Sequence, residues 1–353
     1  MPIKVLKINS KAIQLMKPVT SAEYDKKTVL TNSSWEYVEL WLKRESSGRA
    51  KQALFFWIQA KNFYDASEML PIESKPLTSY YCCMNAAKAL LAIKGDTNIN
   101  FDNISHGISS DREQWGESNN IKNAKVIFNS KGVLFELSKY FKEEVIRKSY
   151  SVYDLMYNIP CIHRAFSITY RCAELFIPIR NVQFIIDTEI KKGWVQFQVD
   201  DTYANRYSLR YLPSYFEKVK YDADRLCMIR SRKRFDWDIH GDKNKRMDNL
   251  KRYHGRERKD LFYIYGDTRL WYVKKDIPSN PHVIKRNSIT LIFAVMHWLS
   301  ELVRYNPEKF DKLMSTNQNW LIHEFVENAL YQYIDEISCE ITGVDIMASG
   351  YRK

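Results

Sequence analysis

The chain has 353 residues, 45% of them hydrophobic, enough to bury real cores in two or three units of ordinary domain size. Lys and Arg outnumber Asp and Glu by 54 to 42, a formal net charge of +12 that draws a chain to phosphate polymers or acidic surfaces. Few Gly and Pro, no low-complexity tract and no internal period argue against disordered, fibrous and repeat architectures.

Residues 1–21 lack the continuous apolar run of a secretory leader. SSWEYVELWLKRE, 33–45, reads as a short helix opened by a Ser cap. In 50–70, Ala53, Phe56, Trp57, Ala60, Phe63 and Tyr64 fall on one helical face. A further helix follows in TSYYCCMNAAKALLAIKG, with Gly95 placed to end it, so an antiparallel αα-hairpin is expected. Residues 96–120 are polar and loop-like. AKVIFNSKGVLFEL, 124–137, reads as two short strands about Lys131-Gly132 or as one strand running into a helix. More helix is expected in 137–175.

The runs 177–187, 193–200 and 206–212 are rich in β-branched and aromatic residues and predict strands, as do DLFYIYG and RLWYVKK beyond residue 259. Asn287 or Ser288 caps a helix running to about Tyr305, where Pro307 interrupts. Its apolar run 289–299 contains His297 and is half the roughly 20 residues that a bilayer requires, so no membrane span and a cytoplasmic setting are expected. A last amphipathic helix covers about 317–338. The expected fold is mainly α with an α+β middle, in three successive regions: 1–120, helical with the hairpin; 121–275, mixed; and 276–353, helical and packing on the first.

The six cysteines show no CxxC and no zinc-finger spacing, and read as buried free thiols. No Walker A, GxGxxG, HExxH or GxSxG sequence appears, so neither a metal nor a cofactor is expected.

Several stretches, in order, resemble the YaaC family of bacterial proteins: AKNFYDAS at 60–67, PLTSYYCCMNAAKALLA at 76–92, SHGI at 105–108, KGVLFELSKYF at 131–141, SVYDLMYNIPCIHRAF at 151–166 and HWLSELVRYNPEKF at 297–310. The hairpin ending in SYYCCMNAAKALLAIKG, followed by a His-Gly, is also similar to the HEPN helical fold. That second resemblance implies a ribonuclease or nucleic-acid partner of a bacterial toxin or anti-phage defence system. HEPN ribonucleases carry Arg, four to six residues, then His. The His takes a proton from a ribose 2′-hydroxyl and the Arg holds the phosphate as charge develops. Arg234 and His240, in R-FDWDI-H, have that spacing. Seven His, three allowed spacings and 21 Arg give about one such match by chance, however, and this match lies between strand-like segments. His106, just after the hairpin, is the other candidate base. A metal-nuclease reading would use Asp187, Glu189 and Lys191 at a strand end, with Glu174 upstream.

Residues 230–260 hold twelve Lys or Arg and six acids, so +6 of the net +12 comes from less than a tenth of the chain. Arg230, Arg232, Lys233, Arg234, Lys245, Arg246, Arg252, Arg256 and Arg258 are the expected phosphate contacts. Phe235, Trp237 and Tyr253 are either stacking platforms or core residues. The interleaved acids allow the blander reading of a solvated, charge-mixed surface. The expected function is nucleic-acid interaction. The alternatives are a metal-independent ribonuclease using His240 or His106, and an assembly subunit whose helices at 50–70 or 317–338 dock a protein partner or a second copy.

Overall fold

The computed structural model describes residues 2–110, 120–221, 227–266 and 268–349; part of the polar segment 96–120 lies outside them. They form eleven helices and several antiparallel sheets, so the chain is mixed α/β, and strands contribute more than a mainly α reading allows. Two compact units share it, and neither is contiguous. One comprises residues 31–174 and 282–342; the other comprises 1–30, 175–281 and 343–353. These boundaries replace three successive regions, because the first 30 residues belong with the middle of the chain.

The helical unit opens with α1 (Ser34–Arg44), α2 (Gly48–Glu68) and α3 (Lys75–Lys94). Ser33 caps α1 by accepting from the Glu36 N–H at 3.2 Å, and Ser47 caps α2 in the same way through Ala50. Gly95 follows α3 in extended rather than left-handed conformation. Helices α2 and α3 run antiparallel. Arg49 donates to Ala92 O, Lys88 lies over the Phe56 ring, and Phe63 stacks on Tyr81 at 5.2 Å. As one partner's number rises, the other's falls.

Strands β5 (Ile108–Ser110), β6 (Lys125–Phe128) and β7 (Lys148–Ser151) form a small antiparallel sheet in this unit. Strand β6 runs on into α4 (Val133–Tyr140), which decides between the two readings of 124–137. Helices α5 (Val152–Tyr157) and α6 (His163–Tyr170) follow. The segment 282–342 adds α9 (Ser288–Tyr305), α10 (Pro307–Met314) and α11 (Asn319–Thr342). Pro307 does not simply interrupt; it begins α10, where its missing N–H costs nothing. Helices α9 and α11 bury themselves against α3, with Tyr80 on Phe293 at 5.5 Å and Tyr333 donating to Cys83 O at 3.1 Å.

The second unit is built on an eight-stranded antiparallel sheet. Its members are β1 (Ile3–Val5), β8 (Phe176–Asp187), β9 (Lys192–Val199), β10 (Phe216–Tyr221), β11 (Cys227–Ser231), β12 (Phe235–Asp236), β13 (Leu261–Ile264) and β14 (Leu270–Lys274). The order is β10-β11-β9-β8-β14-β13, with β1 on β8 and β12 on β9. The short pairs β2 (Lys7–Ile8) with β3 (Lys11–Ala12), and β4 (Val29–Leu30) with β15 (Ile346–Met347), complete it.

The expected strand at 206–212 is instead a helical turn, α7 (Arg206–Leu209). Asn205 accepts from the Ser208 N–H at 2.9 Å, and that cap overrides the β-prone side chains. The core of this unit gathers Ile179, Phe184, Val195, Phe197, Ile229 and Val273 from the sheet with Leu250 and Tyr253 from α8 (Lys243–Glu257).

Candidate functional site

Two features stand out, one in each unit. The first is α8, the centre of the basic segment. Asp242 caps it by accepting from the Lys245 N–H at 2.7 Å. Leu250, Tyr253, His254 and Glu257 recur at helical spacing and are buried. Tyr253 fastens this face to the sheet, accepting from Val195 N at 3.0 Å and donating to Lys233 O. The opposite face carries exposed Lys245, Arg252 and Arg256, with Lys259 just past the helix end. Among the described residues none of these four forms an ion pair. Asp248 is the acid on the same face. Over about 16 Å of helix, at about 1.5 Å per residue, they make a cationic stripe.

The other expected contacts are more constrained. Arg230 and Arg232 both bond Glu217, at 2.7 and 2.8 Å, and hold its carboxyl below the usual range. Arg234 donates to Ser231 O and Lys233 O, with its guanidinium 4.7 Å from the Trp194 ring. Lys233 is half-buried over the Tyr215 ring, and desolvation lowers its pKa. Arg246 donates through Nη1 to the carbonyls of Asp238, Ile239 and Gly241. Arg258 must be removed from the phosphate set. It is buried, donating to Leu261 O and Lys17 O. Phe235, Trp237 and Tyr253 are all core residues; the Phe235 ring covers Gly193, where any Cβ would clash with it.

His240 sits in an exposed turn, its N–H donating to Asp238 Oδ1 at 3.1 Å. The structure gives it no bond to Arg234, whose donors are turned to backbone carbonyls. The acids at the β8 end do not gather either. Asp187 Oδ1 accepts the Glu189 and Ile190 N–H groups and closes the turn, while Lys191 pairs with Asp238 at 2.9 Å. Glu174 belongs to the helical unit. Among the described residues no three His, Cys, Asp or Glu are placed to hold a metal.

The second feature surrounds His106. His106 lies at the surface, and its Nδ1 is 2.8 Å from the hydroxyl of Tyr80, which α3 buries. Buried His297 of α9 packs edge-on against both, 5.0 Å from Tyr80 and 5.8 Å from His106. Glu301, one turn on, reaches 3.9 Å from His297 Nδ1. Partial desolvation depresses the His106 pKa; Lys88 lowers it further and Glu301 opposes. His106 is thereby biased to the neutral form, which a proton acceptor requires.

The loop carrying it is held by backbone hydrogen bonds. Val133 N donates to Ser105 O and Leu134 N to His106 O, so the loop sits on the start of α4. Gly107 (φ 81°) and Gly132 (φ 109°) face each other so closely that a Cβ on Gly132 would overlap the Gly107 backbone. Only glycine permits that approach.

The family model described as YaaC-like Protein matches residues 17–341. The chain belongs to the YaaC-like family. No curated protein and no solved structure gave a match. The matched span takes in both α8 and the His106 loop of this YaaC-like chain. The sequence places His106 just after the hairpin but does not show Tyr80, Lys88, His297 and Glu301 as its surroundings. The signal available was a polar His inside the apolar run 289–299.

Proposed function

We propose that this protein binds nucleic acid through the solvent face of α8. The observation that supports it is the stripe of Lys245, Arg252, Arg256 and Lys259, exposed and without ion pairs among the described residues. Such a stripe releases counterions from a phosphate backbone and carries no base-specific information. Single-stranded RNA, single-stranded DNA and duplex DNA, each titrated at two salt concentrations, test it. Lys245→Glu/Arg252→Glu/Arg256→Glu should weaken binding to all sequences and flatten the salt dependence, each lost phosphate contact removing about 0.7–0.9 from the log–log slope. Unchanged affinity and slope remove α8 from the reading.

The His106 cluster favours a second reading, a HEPN-like, metal-independent ribonuclease of the kind found in defence and toxin systems. With Tyr80 accepting from Nδ1–H, the other ring nitrogen of His106 is the base for a 2′-hydroxyl, and Lys88 supplies positive charge beside it. RNA cleavage that persists in EDTA and disappears in His106→Ala is the expected result. Cleavage that requires Mg²⁺, or that survives in His106→Ala, sinks this reading.

A further inference from the structure

The sheet unit contains a cleft of about 560 Å³ lined by Lys4, Val5, Lys7, Ile186, Trp237, Ile239 and Arg246. That lies within the roughly 300–1,000 Å³ of small-ligand sites. Its two halves differ in chemistry. Ile186 and Trp237 are buried, Val5 is half-buried, and Ile239 is an apolar side chain left 43% exposed at the mouth. The remaining three residues are cations, and no acid lines the cleft. Lys4 and Lys7 are exposed and form no ion pair among the described residues. Of the acids nearest in the chain, Asp187 accepts the Glu189 and Ile190 N–H groups, Asp236 pairs with Lys192 at 2.5 Å and Asp238 pairs with Lys191 at 2.9 Å.

The cleft is fixed by its own backbone. Lys4 pairs with Ile186 across β1 and β8. Arg246 pins the turn bearing Ile239 through the carbonyls of Asp238, Ile239 and Gly241. Its guanidinium lies 5.5 Å from the Trp237 ring, and its Nε is buried without a hydrogen-bond partner among the described residues. A bare phosphate would leave the Ile239 side chain at the mouth in water, and an uncharged apolar ligand would leave three cations uncompensated. A flat apolar body joined to an anion satisfies both halves.

We infer that this cleft binds one nucleotide unit, the base against Trp237, Ile186 and Ile239 and the phosphate between Lys4, Lys7 and Arg246. The inference deepens the nucleic-acid reading of α8, on which it rests for the strand form of its ligand. The shared chemistry has two sources, a free mononucleotide and an unpaired nucleotide of a strand. Base contact on an aromatic wall tolerates any sequence.

The full-length protein is titrated by calorimetry with AMP and UMP, with inorganic phosphate and adenosine as controls, and separately with a short single-stranded RNA. The Lys4→Glu/Lys7→Glu variant changes two exposed side chains and keeps the core. Mononucleotide affinity should fall at least about tenfold in it and stay unchanged in Lys245→Glu/Arg252→Glu/Arg256→Glu, whereas strand affinity should fall in both. AMP and UMP that bind no tighter than phosphate, or equally well to Lys4→Glu/Lys7→Glu, overturn the inference. Strand binding weakened only by the α8 variant, with no mononucleotide bound, removes the cleft and leaves the α8 reading standing. Mononucleotides held through Lys4 and Lys7, with no strand bound, keep the cleft as a free-nucleotide site and remove the α8 reading.

Discussion

Glu257 ends the buried face of α8 at 0% exposure, and one of its carboxylate oxygens has no hydrogen-bond partner. Ser231 reaches the other oxygen at 3.4 Å. Burial therefore raises its pKa to about 7; Lys233 pulls down and Asp260 pushes up. A carboxyl raised in the folded state binds more protons there than when unfolded. Its contribution to stability is thus fully retained below the unfolded pKa and is lost as pH rises through 7. Taking 4.5 for the unfolded chain and 1.36 kcal/mol per unit, ionisation of Glu257 removes about 2.5 kcal/mol between pH 5 and pH 8.

Glu257→Gln removes that titration. The buried amide adds an offset of its own, but that offset does not depend on pH. Urea unfolding of wild type and variant at several pH values gives the difference directly, because every other group cancels. The variant should gain about 2.5 kcal/mol on wild type between pH 5 and pH 8. Parallel profiles would refute the reasoning, by showing that water or a counter-charge already compensates the carboxylate.

His254 gives the opposite slope. Burial depresses its pKa to about 3, so the unfolded state takes up protons first and stability falls as pH drops below 6.5; His254→Gln should recover about 3 kcal/mol at pH 4 relative to pH 8 in the same unfolding series. Arg286 is buried with Glu143 at 2.8 Å and also bonds Ser138, Tyr150 and Glu144 O, so Arg286→Ala should cost about 3–5 kcal/mol by leaving a buried carboxylate unpaired. Arg286→Met/Glu143→Leu should recover much of that loss in thermal unfolding. Gly132→Ala forces the SHGI loop off α4 and should cost about 1–3 kcal/mol. It should also abolish the NMR signature of the hydrogen bond between Tyr80 and His106, which Gly48→Ala, a change that meets open space, leaves intact.

Long periodic helices were legible: 50–70 became α2 and 317–338 became the body of α11, because an apolar face repeating every third or fourth residue permits little else. What hid the rest was short range or long range. Strands β1, β2 and β3 are two or three residues long, below the length at which alternation can be read. The turn at 206–209 follows from one capping Asn, against the β-prone composition around it. Helix α8 was masked by charge, since its apolar face is only Leu250 and Tyr253 together with a buried His and Glu. The stripe was half visible, because composition counts cations without showing which ones Glu217 or a carbonyl already holds. The surroundings of His106 join residues 80, 106 and 297, and no local pattern reports a meeting across such separations.

The sheet unit draws its last members from residues 343–349, where β15 lies beside β4 and Asp345 accepts from the Lys17 N–H at 2.7 Å. On the ribosome, β1 and β4 emerge well before their partners β8 and β15. Strands β1 and β4 must stay unpaired while more than 140 further residues are made, although β2 and β3 can pair with each other at once, and the parallel pair can form only once β15 has left the exit tunnel. Such distant pairings are slow to close. Strands β1 and β4 therefore carry unpaired backbone groups through much of synthesis.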